Sequence, residues 1–348
     1  MTSSRYSLKS AGACVRLPPC LRLPLCLRLP LCLRFPIYLR LCLCLLFAGC
    51  GRPSSEPAGT DPQTLSVVCT TNVVKDLVQQ VGGSHVAVTA IMDGPGIDPH
   101  TYVTSPGDIN TLTAADVVVY SGLHLEGQFD EPLESLKQRG IPVICLTDAL
   151  AAESPSRLIQ ADGDAHDPHV WFDAELWGDC ARHFAGQMSR QDPDAAQDYE
   201  RNAEMYARTV AQAAEKGRRL LDAVPQDRRV LVTAHDAFAY FARAYDFRVE
   251  AVQGISTESE PGLRRINQLI DLLSDRKIAA VFTEQSVSDK NIRALIEGCQ
   301  NKGHTLTIGG VLFSDTVGAA DTMEATLSGA LLHNIREIAA SLNQEASP

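Results

Sequence analysis

From Asp194 to Ala223 the chain contains no proline and a single glycine, Gly217, and Pro193 and Pro225 bracket the stretch. Tyr199, Ala203, Tyr206, Val210 and Ala214 recur there at helical spacing. Apolar residues three and four apart share one face of an α-helix. A helix of this length reaches about 45 Å at 1.5 Å per residue, long enough to run the height of two domains. A break at Gly217, giving a helix hairpin, is the competing expectation.

On either side, short apolar runs alternate with helical pieces. Leu65–Cys69, Val86–Ile91, Val117–Tyr120 and Val143–Leu146 read as strands before the long helix. Arg229–Thr233, Ala279–Thr283 and Thr305–Ile308 read as strands after it. Asn72 is placed to cap the first helix, and Ser105-Pro106-Gly107-Asp108 reads as an N-cap, a first-turn proline and an early acid. A final helix is expected from Thr322 to about Leu342. Strand and helix in alternation predict an α/β architecture: two lobes, each with a mainly parallel sheet flanked by helices, joined by one long rigid helix. The expected division is 65–193 for the first lobe, 194–223 for the linking helix and 224–348 for the second lobe.

The first fifty residues differ from the rest. They hold seven basic residues and no acid, and seven of the eleven cysteines. A six-residue repeat, Leu21-Arg22-Leu23-Pro24-Leu25-Cys26 and its copies, suits neither a packed helix nor a strand and is low-complexity sequence. Arg40 then precedes an uncharged run from Leu41 to Gly49. Basic residues, a short apolar core and small residues make a secretory signal. The run is too short to span a bilayer, which takes about 20 residues. Leu46-Phe47-Ala48-Gly49-Cys50 resembles a bacterial lipobox, which makes Cys50 the expected lipidation site and the anchor to the membrane. Phe47 departs from the usual leucine. Residues 51–64, rich in Pro, Ser and Gly, read as a flexible tether.

The whole chain carries a net charge of −11, and the basic leader hides part of the imbalance in the remainder. An acidic surface repels phosphate backbones, so nucleic acid is not an expected partner. Cys69, Cys145, Cys180 and Cys299 match no Cys-x-x-Cys pattern and are expected to be mostly buried free thiols, with one disulfide as the alternative.

Asp98-Pro99-His100 and Asp167-Pro168-His169 repeat one tripeptide. Proline fixes its own φ and restrains its predecessor, so each histidine leaves a stiffened stretch of backbone. Thr233-Ala234-His235-Asp236 and Leu312-Phe313-Ser314-Asp315 supply a third imidazole and a carboxylate. Each of the four candidates follows a strand, and open α/β sheets bind ligands at the carboxyl ends of their strands. His100, His169, His235 and Asp315 could therefore close around one divalent ion. His166 reads as a solvated loop residue, His124 as a packing or supporting one, and His85, His183, His304 and His333 as structural or exposed.

With these stretches in view, the chain resembles the metal-binding lipoproteins of ABC transporters, the family that includes TroA and ZnuA, and is most like the TroA type. The resemblance covers roughly residues 65–342. It rests on Gly96-Ile97-Asp98-Pro99-His100-Thr101-Tyr102, Ser121-Gly122-Leu123-His124-Leu125-Glu126, Asp167-Pro168-His169-Val170-Trp171-Phe172-Asp173, Thr233-Ala234-His235-Asp236-Ala237-Phe238, Gln253-Gly254-Ile255-Ser256-Thr257 and Leu312-Phe313-Ser314-Asp315. It implies two α/β lobes with the metal between them, His100 and His169 as ligands from the first and His235 and Asp315 from the second. Manganese-devoted members usually carry glutamate where this chain has His235. Three imidazoles and a carboxylate suit zinc, so zinc ranks first, manganese a close second and iron third.

The implied function is extracytoplasmic capture of a divalent metal, zinc or manganese, by a lipid-anchored monomer. The ion then passes to an ABC permease driven by its ATPase subunit. Such a protein is not an enzyme. Metal binding needs neutral histidines, so affinity should fall below about pH 6, near the ordinary imidazole value. Two rivals remain. A zinc-dependent hydrolase would use three histidines and an open position for water, but the sequence has no His-Glu-x-x-His and no glutamate that stands out as a base. A surface adhesin lipoprotein would expose apolar patches.

Overall fold

The computed structural model describes residues 64–343 apart from Asp162 and Asp164. The arginine repeat, Cys50 and nearly all of the tether lie outside the described residues. In the first half, β1 (Leu65–Thr71) leads into α1 (Asn72–Gly82), then β2 (Val86–Met92), α2 (Pro106–Thr113), β3 (Val117–Tyr120), α3 (Asp130–Gln138), β4 (Val143–Cys145), α4 (Asp148–Glu153) and α5 (Ala174–Gln191). The four strands form one sheet in the order β2-β1-β3-β4, and every pairing is parallel.

After α6 (Ala196–Leu221) come β5 (Val230–Thr233), α7 (Ala239–Tyr245), β6 (Arg248–Ala251), α8 (Leu263–Asp275), β7 (Ala280–Glu284), α9 (Lys290–Asn301), β8 (Thr307–Leu312) and α10 (Leu327–Asn343). Here β5 pairs with β6 and β7 with β8, again in parallel. The chain is thus an α/β fold of parallel sheets flanked by helices. Sequence reading missed β6, whose Arg248-Val249-Glu250-Ala251 mixes charges into the strand. The last strand, expected at Thr305–Ile308, runs instead from Thr307 to Leu312.

The strands alternate in what they bury. Val67, Cys69, Val117 and Val119 face one large apolar cluster, while Val68 and Val118 face a second one with Leu112, Phe129 and Leu136. In the second half Leu231, Ala280 and Phe282 join the large cluster, and Val230, Val232 and Val281 join a third. Parallel sheets covered on both faces read as continuous apolar runs for this reason. The large cluster takes side chains from both halves, from Val67 through Trp171 and Tyr206 to Ile335.

Helix α6 runs unbroken for 26 residues, through Gly217. Its buried face carries Tyr199, Ala203, Tyr206, Val210, Ala213 and Gly217. A methyl group at Gly217 would overlap the Ile335 side chain on α10, so this glycine permits close helix packing rather than a break.

Ser105 and Asp108 form a complete capping box on α2. On α1 the cap is Thr71, whose hydroxyl accepts from Val74 N, and Asn72 is the first helical residue. The side chain of Asn72 instead reaches Thr316 and Val317, 2.8 and 3.2 Å away. The last helix starts at Leu327 rather than Thr322, after a separate short turn at Met323–Ala325.

Candidate metal centre

Three of the four candidate residues lie just past a strand: His100 on the β2–α2 connection, His235 directly after β5 and Asp315 directly after β8. His169 departs from that expectation. It lies well beyond β4 and α4, in a stretch that pairs back on itself through Gln160 and His166 before the short turn Val170–Phe172.

All four converge. One ligand atom from each of His100, His169, His235 and Asp315 lies within 4.8 Å of every other. The imidazole centroids are 5.4, 5.7 and 5.4 Å apart. His169 Nε2 is 3.2 Å from Asp315 Oδ1, and His235 Nε2 is 3.4 Å from Asp315 Oδ2. All four residues are at most 3% exposed.

The backbone that carries each imidazole is pinned. In both Asp-Pro-His stretches the aspartate folds back onto the histidine: His100 N donates to Asp98 Oδ1 at 2.9 Å, and His169 N to Asp167 Oδ1 at 2.9 Å. Asp167 Oδ1 also lies 2.7 Å from His169 Nδ1. Tyr240 donates to the Asp167 carbonyl at 3.0 Å. His235 is held from another strand. Its N–H and its Nδ1 meet the two carboxylate oxygens of Glu284 at 3.0 and 2.5 Å. Ser286 donates to Asp315 Oδ2 at 3.0 Å, and the Trp171 indole donates to the carbonyl of Ser314 at 2.9 Å.

A carboxylate on Nδ1 of His169 and His235 keeps a proton on that nitrogen, so Nε2 is the nitrogen turned inward that an ion would meet once its own proton leaves. The Nε2 atoms of all three histidines and Oδ1 of Asp315 are buried without a hydrogen-bond partner. Buried polar atoms without partners are rare, and four facing one another call for an ion to satisfy them. Three imidazole nitrogens and one carboxylate oxygen fit a tetrahedral divalent ion.

The electrostatics divide the imidazoles. Burial pushes His100 down to about 3, against a weaker pull from Asp315. Burial also opposes a charge on His169, but Asp167 and Asp315 outweigh it and raise the group to about 9. His235 is raised well above its usual range, because Glu284 and Asp315 together overcome burial. Burial would raise Asp315, yet His235 and His169 hold it well below the usual carboxylate range.

Other expectations resolve less neatly. His124 is exposed, not packed. It follows Gly122 and Leu123 in a run of three positive φ values, 94°, 53° and 62°. Glu126 anchors that turn by accepting from Thr70 Oγ1 and from the N–H groups of Ser121 and Gly122. His166 is half-buried, with its Nδ1 enclosed and unpartnered. His85 bonds Asp198 on α6 at 2.8 Å. The four described cysteines are buried free thiols. Glu284 and Ser286 were not found by sequence reading. No helix among the described residues is long and apolar enough to cross a membrane.

Comparison with known proteins agrees with the geometry. The family model described as ZnuA, zinc-uptake complex component A periplasmic, matches residues 67–341. The manganese-binding lipoprotein MntA of Bacillus subtilis is 43% identical over 296 residues, 84% of this chain and 94% of that protein. The zinc-binding protein TroA of Treponema pallidum is 36% identical over 288 residues, 83% of this chain and 92% of its own length. The solved structure of the periplasmic zinc-binding protein TroA from that organism superposes with a TM-score of 0.77 at 36% identity, over 80% of this chain and 99% of its own. The chain therefore belongs to the ZnuA family of solute-binding proteins.

Proposed function

We propose that this chain is the extracytoplasmic metal-binding component of an ABC importer. His100, His169 and His235 bind one divalent ion through Nε2, and Asp315 completes the shell. The protein surrenders the ion to a permease driven by its ATPase subunit. The observation that carries this reading is the convergence of four buried ligand atoms, none with a hydrogen-bond partner. Four protein donors fill a tetrahedral shell, which leaves no position for the water that a hydrolytic zinc activates. The chain acts as a carrier rather than an enzyme.

The names of these two relatives divide between manganese and zinc. The donor set ranks them for this chain. Three imidazoles suit a borderline ion, while manganese is better served by oxygen, so zinc is the first cargo and manganese the second. Cys50 carries the lipid that holds the monomer at the membrane. Residues 65–193 and 224–348 act as two lobes about the 194–223 helix, with the ion where they meet.

Metal analysis of the protein from its host, followed by zinc–manganese competition titration, tests the reading. One equivalent of bound metal is expected, and Asp315→Ala or any of the three His→Ala changes should abolish stoichiometric binding. Retention of the ion by a variant lacking all four would overturn the assignment.

A further inference from the structure

The end of β7 holds two side chains outside the four-ligand set, each bonded to a ligand. Glu284, its last residue, meets both the backbone N–H and Nδ1 of His235. Ser286, two positions on, donates to Oδ2 of Asp315 and lies 3.0 Å from Ser314 Oγ. Between them, Gln285 N donates to the carbonyl of Leu312 at 2.9 Å, which extends the β7–β8 pairing to the residues before Asp315. Three consecutive residues thus grip the loop after β5 on one side and the loop after β8 on the other. Glu284 and Ser286 are 4% and 8% exposed, so these bonds act in a dry, low-dielectric setting.

The three imidazoles are not supported alike. The carboxylate that pins His169 comes from its own loop, two residues away. The one that pins His235 comes from a strand 49 positions later. His235 and Asp315 belong to two separate strand pairs, and the 284–286 segment bonds to both.

We infer that Glu284 and Ser286 form one brace that positions His235 against Asp315 and so sets the preference for zinc over manganese. This rests on the metal-binding reading above. A carboxylate hydrogen-bonded to Nδ1 strengthens the donor character of Nε2. Imidazole donors serve zinc, whereas manganese relies more on oxygen. Weakening His235 therefore costs zinc more than manganese. Ser286 occupies Oδ2 of Asp315 and leaves Oδ1 as the oxygen without a hydrogen-bond partner. Both are positioning residues that act through the ligands they hold.

The test uses Glu284→Gln, Ser286→Ala and the double variant in the whole chain, with zinc and manganese affinities from chelator competition. Nitrogen NMR of the imidazoles reports the tautomer of His235. Glu284→Gln should weaken zinc binding about 10- to 100-fold, weaken manganese less, and disturb the His235 tautomer while His169 keeps its own. Ser286→Ala releases Oδ2 of Asp315 to join Oδ1 as a second oxygen donor, which serves manganese better than zinc, so it should also lower the zinc-to-manganese ratio. The double variant should lose less than the product of the single losses, as neighbours in one network do. Circular dichroism of the metal-free forms checks folding, and if Glu284→Gln does not fold, Ser286→Ala carries the test alone. Folded variants with the wild-type ratio would overturn the brace. If the wild-type chain bound neither ion, or His235→Ala bound both as well as wild type, the metal-binding reading itself would fall instead.

Discussion

The hydroxyl of Thr257 donates to Oδ2 of Asp98 at 2.5 Å, joining residues 159 positions apart. The other oxygen of Asp98 holds the backbone of His100. The bond thus ties the loop that carries His100 in the first half to the β6–α8 loop of the second, and Gln128 and Glu258 add a contact beside it at 3.3 Å. Thr257→Val keeps the shape and removes the donor. A hydrogen bond to a charged group contributes about 1.5–3 kcal/mol when buried, and less at this half-buried position. Zinc should dissociate up to about tenfold faster in a stopped-flow chelator chase, with the bound stoichiometry unchanged. An unaltered off-rate would show that the two loops separate without this bond.

On the proposed assignment, protons and metal compete for the same nitrogens. In the metal-free protein His169 is raised from 6.5 to about 9. Its paired, protonated form contributes stability that is fully present below pH 6.5 and is lost as pH rises through about 9. His100 is lowered from 6.5 to about 3, so its contribution is present above pH 6.5 and is lost as pH falls toward 3. From these two groups, the metal-free melting temperature should peak near pH 6.5. Zinc displaces the His169 proton, so apparent affinity should keep rising up to about pH 9. The sequence alone places the fall below about pH 6, and Asp167 moves its onset upward. Calorimetry in buffers of different ionisation enthalpy would count the protons released.

Tyr206 lies at the middle of a buried chain of bonds. Its hydroxyl accepts from Trp177 Nε1 at 3.0 Å and donates to Asp76 Oδ2 at 2.9 Å, and the same oxygen of Asp76 accepts from Leu327 N at the start of α10. Tyr206→Phe strands both the indole N–H and part of the carboxylate. Leaving buried groups unpaired costs about 1–3 kcal/mol each. Thermal or urea unfolding should show that loss, with zinc affinity unchanged, because none of these residues touches the four ligands.

Gly217 reverses the usual helix rule. Replacing glycine by alanine in an exposed helix interior gains roughly 1 kcal/mol. Here the added methyl meets Ile335, so Gly217→Ala should destabilise by about 1–3 kcal/mol. Combining it with Ile335→Val should recover part of the loss in the melting temperature.

How legible the centre was depended on sequence context. His100 and His169 stood out because a proline and an aspartate stiffen the backbone before each. His235 and Asp315 follow apolar runs, but Asp315 was marked as a ligand chiefly by the family resemblance of Leu312-Phe313-Ser314-Asp315. Glu284 did not. In Phe282-Thr283-Glu284-Gln285 it reads as an acid at the exposed end of a strand. Its role arises only because β7 packs beside β5 and delivers the carboxylate to an imidazole in another loop. Asn72 misled for a related reason. Its amide suits a cap, but a long-range partner, Thr316, outcompetes the local one. The fold was legible where apolar runs are pure, and illegible at β6, where Arg248 and Glu250 pair with each other along the strand.

The four inward-facing residues are almost sealed from solvent, His169 and His235 completely so. An ion can settle among them only after shedding its hydration shell. Magnesium gives up its waters reluctantly and demands a near-ideal octahedron of oxygens. A chamber this dry offers an entering ion only three imidazoles and one carboxylate in exchange for its waters, a set that suits zinc and should exclude magnesium.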